Sequence, residues 1–202
     1  ITLFSPSDVP GLYEAFFSDQ DKFKELYERA ERNTRLRKKV INATELFSQF
    51  MEERKNTGRI YLQNVDNANS HSSFLEDVAP IRQSNLCAEI DLPTKPLNDF
   101  NDEDGEIALC TLSAINWGRI KSPEEFAKPC ELAVRGLDAL LTYQDYPVKA
   151  AKTATEGRRP LGVGIINLAY WMAKNGMTYS QPNLEMIDEF AEAWSFYLIK
   201  AS

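Results

Sequence analysis

Apolar residues in the first part of the chain return every three to four positions. Phe23, Leu26, Tyr27 and Ala30 fall at i, i+3, i+4 and i+7, and Val40, Ala43, Phe47 and Phe50 follow a like helical spacing at i, i+3, i+7 and i+10. Two helices, each with one apolar stripe, are therefore expected between Asp8 and about Gly58, both packing on a common core. Gly58 stands just past the second stripe, where a left-handed residue closes a helix. The period then changes. Ile60 to Val65 has strand character, and Asp66 to Pro80, rich in Asn, Ser and Asp and holding the only histidine, His71, reads as a loop.

Two short extended pieces follow, Asn85 to Leu92 with Cys87 and Glu106 to Asn116 with Cys110. Pro93, Pro96, Asn98, Asn101 and Gly105 break any regular element between them. Ser122-Pro123-Glu124-Glu125 has the spacing of a capping box with Pro at the first helical position. Beyond it Phe126, Cys130, Val134, Leu137 and Leu141 line one helical face, which makes Cys130 a core cysteine, and Pro129 is expected to interrupt or kink that helix. A loop at Asp145 to Pro147, a further helical stretch and the run Gly157 to Gly164 lead to two last helices. These span about Ile165 to Lys174 and Asn183 to Lys200, the latter with Leu184, Ile187, Ala191, Trp194 and Leu198 inward. Residues 1–58 thus read as a helical segment, 59–120 as strands and loop, and 121–202 as helical again. Strands separated by helices and long loops give an α/β class with a mostly parallel sheet. Three or so visible strands would leave sheet edges uncovered, as expected of one part of something larger.

Composition narrows the function classes. The 202 residues carry 23 Lys and Arg against 30 Asp and Glu, a net charge of −7, which argues against nucleic acid as a partner. The local basic run Arg29, Arg32, Arg35, Arg37, Lys38 and Lys39 reads as a solvated helix face. No stretch approaches the roughly 18 apolar residues of a membrane span, and the first residues lack the blocks of a signal peptide, so a cytoplasmic protein is expected. The first residue is not Met, which suits a processed or excised segment. Three cysteines are too few and too irregularly spaced for a disulfide scaffold or a four-cysteine metal site. Redox or radical chemistry stays open.

In extended backbone, side chains alternate, so Asn85, Cys87 and Glu89 would project to one side and gather an amide, a thiol and a carboxylate. Taken alone, the triplet reads better as a half-buried strand with polar alternation. Cys110, among apolar residues, has the matching plain reading of a core thiol. His71 has no partner at metal-ligand spacing. Gly162 and Gly164 are not followed by the Lys-Ser or Lys-Thr of a phosphate loop and read as close-packing glycines.

The run Arg82-Gln83-Ser84-Asn85-Leu86-Cys87-Ala88-Glu89-Ile90 with Leu92-Pro93-Thr94, the stretch Gly105 to Ser113, and Gly157-Arg158-Arg159 through Gly164 closely resemble the large, catalytic subunit of aerobic class I ribonucleotide reductases. The similarity extends to Phe4-Ser5-Pro6 and Val9-Pro10-Gly11-Leu12-Tyr13. The resemblance implies part of a ten-stranded α/β barrel in which Cys87 is the thiyl-radical residue at the tip of a finger loop. Glu89 would accept the 3′-hydroxyl proton of the substrate, and Asn85 and Ser84 would bind it. Cys110 would be one of two reducing cysteines. Tyr61 and Arg59 are candidates for the radical route, with strand packing as the competing reading. The same resemblance implies no cofactor in this chain, a radical supplied by a metal-containing small subunit, and thioredoxin or glutaredoxin as external reductant. It also implies a ribonucleoside diphosphate substrate and an oligomer completed by the rest of the large subunit. The second reducing cysteine is expected upstream and a radical-relaying tyrosine pair downstream, so the segment alone should not turn over. Two other readings are a non-catalytic interaction fragment and a thiol–disulfide module using Cys87 and Cys110.

Overall fold

The Phe23 stripe forms the helix expected of it. In a computed structural model describing residues 1–202, α2 runs Gln20–Arg32, with Leu26 and Ala30 buried and the Asp19 carboxylate accepting the Lys22 N–H at its start. The chain forms two compact units, Ile1–Asp91 and Leu92–Ser202. In the first, β1 (Thr2–Phe4) pairs antiparallel with β2 (Lys38–Val40), and α1 (Leu12–Ser18) precedes α2. Tyr27 ties β1 to α2, because its hydroxyl accepts the Thr2 N–H at 2.6 Å and donates to the Thr2 carbonyl at 3.2 Å. The basic run leaves the helix at Arg32. Arg29 and Arg32 meet Glu25 and Glu28 one turn back, all well exposed, so they are a solvated face and add little stability.

Four expectations for this unit are corrected. Val40 lies on β2 and not in a helix, since Asn42 caps α3 (Ala43–Thr57) by accepting the Thr44 and Glu45 N–H groups. That helix ends as read, at Gly58 with φ +65°, yet buries none of its residues; Phe47 is 59% exposed. Residues 60–64 form no strand, for they have β-favouring side chains but no partner ladder, and the next element is a short helix, α4 (Val65–Ser70). The expected loop therefore opens with a helical turn.

The second unit is built on one parallel strand pair. β3 (Leu112–Asn116) and β4 (Gly162–Ile166) lie in register from Leu112 opposite Gly162 to Asn116 opposite Ile166. They are joined through α5 (Ala127–Tyr143) and α6 (Lys149–Arg158), and α7 (Leu168–Lys174) and α8 (Leu184–Ala201) follow. Gly162 is a close-packing glycine: a β-carbon there would stand 2.5 Å from Cδ2 of Leu112. Gly164 is not, its nearest neighbour being a carbonyl at 3.8 Å. Pro129 does not kink α5. It sits in the first turn, where its missing N–H has no helical acceptor to lose. The expected capping box does not form, and Ser122 makes no side-chain cap. Glu125 reaches back to the Lys121 N–H at 2.8 Å, while the Ser122 hydroxyl turns to the Glu124 carboxylate at 2.7 Å.

The core beneath the strand pair is aromatic. Trp117 packs against Phe126, Trp171 and Phe190 with ring centroids 5.3–6.1 Å apart, and Trp171 lies 4.8 Å from Phe190. Cys130, Val134, Leu137 and Leu141 of α5 are all buried, as the stripe requires. Ile165 and Ile166 belong to β4, so α7 starts later than expected. On α8 the fully buried residue is Phe190; Ile187, Ala191, Trp194 and Leu198 pack partly buried beside it, and Leu184, expected inward, is 70% exposed. No helix is long and apolar enough to cross a membrane.

Truncating Phe190 to Ala should lower the stability of the second unit by about 3–5 kcal/mol, and Leu184→Ala should change it by less than about 0.5 kcal/mol, in urea unfolding followed by circular dichroism. Cys130 gives a pH signature. Burial pushes its thiol from about 9 up to about 11, so the unfolded chain loses that proton first. The resulting stability is intact below pH 9 and declines as the pH rises towards 11. Urea midpoints of the wild type should fall more steeply across that window than those of Cys130→Ala.

Candidate active site

The segment around Cys87 is a tight loop and not a strand. The Asn85 carbonyl accepts the Ala88 N–H at 3.0 Å, and Ala88 adopts φ +59°, a left-handed conformation uncommon outside glycine. One antiparallel bridge, Ser84 opposite Asp91, closes the base. Leu86 and Cys87 occupy the tip, Leu86 89% exposed and Cys87 exposed as a free thiol.

Asn85 and Glu89 do come together, but through the turn and not through strand alternation. Asn85 Oδ1 accepts the N–H groups of Glu89 and Ile90 at 3.1 and 3.2 Å, and Asn85 Nδ2 donates to Glu89 Oε1 at 2.5 Å. The amide thus satisfies backbone donors that a ladder would otherwise take. Ser84 completes the wall, its hydroxyl donating to the Ile90 carbonyl at 2.9 Å. A thiol at the tip is flanked in sequence by an amide and a carboxylate bonded to each other. The carboxylate can take a proton and the amide can hold a hydroxyl, while the thiol is open to a reactant.

The loop is fastened from outside by residues the sequence reading passed over. Asn69 of α4 is buried; its Oδ1 accepts the Ile81 N–H at 2.7 Å and its Nδ2 donates to the Ile81 carbonyl at 2.8 Å. At the other end Gln63 Nε2 donates to Asp91 Oδ1 at 2.9 Å. Arg82 lies 5.3 Å from the centre of the Phe17 ring. No sequence signal pointed to Asn69: its stretch read as a loop, where Asn is common, and its partner is backbone.

Tyr61 is half exposed and lines an open cleft of about 830 Å³ together with Asn64, His71, Ser84 and Asn85. Arg59 is exposed and does not line that cleft. His71 closes α4, its Nδ1 within 3.1 Å of the Asn67 carbonyl and 2.9 Å of the Ser70 hydroxyl.

Cys110 belongs to the second unit. It is exposed, and it lies two positions before β3, so the strand expected to carry it begins later. The adjacent Thr111 carbonyl accepts the Gly162 N–H at 2.9 Å, which anchors the backbone next to the thiol. The acidic loop before it is ordered from within. Asp102 accepts N–H groups from Asn98, Asp104 and Gly105, and the first two of these hold its carboxyl below the usual carboxylate range. Arg158 pairs with Glu106 at 2.5 Å, Lys149 pairs with Glu103, and the Ile107 N–H donates to the Ala150 carbonyl at 3.2 Å. All three contacts join the loop to α6.

Comparison with known proteins places these features in a family. The family model described as ribonucleotide reductase, barrel domain, matches residues 1–202. The chain is 60% identical to the ribonucleoside-diphosphate reductase subunit alpha of Haemophilus influenzae, 61% identical to ribonucleoside-diphosphate reductase 1 subunit alpha of Salmonella typhimurium, and 48% identical to the subunit alpha of Enterobacteria phage T4. Each match takes in 100% of this chain but only 26–27% of the relative. The chain therefore spans about a quarter of the length of these proteins. Its parallel β3–β4 pair with flanking helices is an α/β portion of that architecture, with no closed barrel of its own. On this match, which runs from the first residue to the last, the chain belongs to the ribonucleotide reductase barrel-domain family.

Proposed function

We propose that this segment supplies the hydrogen-abstracting part of the catalytic subunit of a ribonucleoside-diphosphate reductase. The observation that carries the proposal is the loop from Ser84 to Asp91, which puts Cys87 at an exposed tip and binds Asn85 to Glu89 behind it. A thiyl radical on Cys87 takes the 3′ hydrogen of the substrate ribose, forming an S–H bond. Glu89 takes the 3′-hydroxyl proton, which eases departure of the 2′-hydroxyl as water. Asn85 orients the sugar, with Ser84 beside it. Cys110 and a second cysteine from outside this segment give up two electrons and two protons and end as a disulfide, the hydrogen returns from Cys87 to the 3′ carbon, and Glu89 gives the 3′ oxygen its proton back.

The exposure of Cys110 supports a thiol that meets substrate and reductant more than it supports a core residue; Cys130, buried in the aromatic core, fits the structural role. Tyr61 is the better placed of the two radical-route candidates, because it shares a cleft with Ser84 and Asn85 while Arg59 does not. In this reading the radical originates on a metal-containing small subunit, and thioredoxin or glutaredoxin renews the reducing pair. The remaining part of the large subunit completes an oligomeric enzyme in the cytoplasm, and the substrate is a ribonucleoside diphosphate.

The 202-residue chain mixed with small subunit, thiol reductant and a ribonucleoside diphosphate should yield no deoxyribonucleotide in a product assay. Within a complete large subunit carrying this segment, Cys87→Ser should abolish turnover, and Glu89→Gln should lower kcat by about 10²- to 10⁴-fold. Retained turnover in Cys87→Ser would overturn the proposal.

A further inference from the structure

We propose that Asn69 is a positioning residue for Cys87, acting through the backbone of Ile81; this rests on the reading of Cys87 as the hydrogen-abstracting thiol. Asn69 sits in α4 and is 6% exposed, and Ile81, at the entrance to the finger segment, is 1% exposed. The side-chain amide meets both polar groups of Ile81 at once, accepting its N–H at 2.7 Å and donating to its carbonyl at 2.8 Å. The second hydrogen of Nδ2 goes to the Val65 carbonyl at 3.0 Å, so both donors of the amide are used. This reproduces one rung of a β-ladder with a side chain in place of a strand.

The geometry selects the residue type. An amide offers a donor and an acceptor side by side; Leu has the shape without either, and an ionised Asp has only acceptors. Leaving the N–H and carbonyl of Ile81 unpaired in a buried place is costly, so the amide removes alternative paths for the chain as it enters the loop. Beyond Ile81 the constraints are in series. Ser84 bridges to Asp91, Gln63 holds Asp91, and Asn85 fixes the tip through Ala88, Glu89 and Ile90. Asn69 sets where that assembly starts. A displacement of the reacting thiol by about 1 Å can lower a rate by about 100-fold.

The test compares wild type with Asn69→Leu and Asn69→Asp in the 202-residue chain by amide hydrogen exchange, corrected for intrinsic rates. Both variants should speed exchange at Ala88, Glu89 and Ile90 by about tenfold or more, while α2 and residues 92–202 keep their protection. Asn69→Asp carries a further signature. Its carboxyl, once protonated, again offers a donor beside an acceptor, so protection of the three finger amides should recover as the pH falls; the Glu89 and Asp91 carboxylates also hold the finger, and wild type and Asn69→Leu, which share them, should show no such recovery. General loss of protection through residues 1–91 without that low-pH recovery, or unchanged finger exchange, would overturn the inference. In the complete large subunit with its small subunit, Asn69→Asp at neutral pH should lower turnover by about ten- to a hundredfold while leaving small-subunit affinity unchanged. If Cys87→Ser keeps full turnover, the radical reading fails whatever Asn69 does. If Cys87→Ser is inactive and Asn69→Asp turns over like wild type, the positioning inference alone fails.

Discussion

Between Ile81 and Asp91 the backbone has no neighbouring strand to pair with, and side-chain amides stand in for one. A buried N–H or carbonyl without a partner costs more than an ordinary hydrogen bond gains, so an irregular segment keeps a single path only if such groups are met one by one. Asn69 meets the two of Ile81, Asn85 meets the N–H groups of Glu89 and Ile90, and Ser84 meets the carbonyl of Ile90. The result is a loop anchored at the buried Ile81 and shaped beyond it by hydrogen bonds, with its tip free of the core and open at Leu86 and Cys87. The proposed radical chemistry asks for that combination at Cys87, an exposed position that is also a defined one.

The second unit solves a different problem. Its two parallel strands need cover, and Trp117, Phe126, Trp171 and Phe190 supply it through ring contacts near 5–6 Å that combine large buried area with edge-to-face and tilted geometry. The chain arriving at β3 comes from an acidic loop rich in breakers. That loop is fixed to α6 by the partly buried Arg158–Glu106 pair, the Lys149–Glu103 pair and a backbone bond from Ile107. The position of Cys110 is thus inherited from a rigid helix on one side and a strand rung at Thr111 on the other.

Periodicity was legible where a face is covered within its own unit: the stripes of α2 and α5, and most of that on α8, are visible in the residues themselves. It misled where an apolar stripe is not covered within its own unit, as on α3, and where strand-forming side chains have no ladder to join, as from Ile60 to Asn64. A side chain's own preference cannot report whether a partner is present. The meeting of Asn85 with Glu89 was foreseen, yet from alternation along a strand, whereas a turn with Ala88 in left-handed backbone brings it about. No spacing rule would have revealed that turn, because Ala carries no signal for positive φ. Asn69 stayed hidden for a related reason: its partner is backbone, which every residue offers alike.

The aromatic core also decides what light can report about this molecule. All three tryptophans, Trp117, Trp171 and Trp194, lie within residues 92–202, and Trp117 and Trp171 are fully enclosed. Indole emission therefore follows only that unit. The finger segment shares its unit with Tyr13, Tyr27 and Tyr61 and has no indole, so that unit's own emission is that of tyrosine and not of tryptophan.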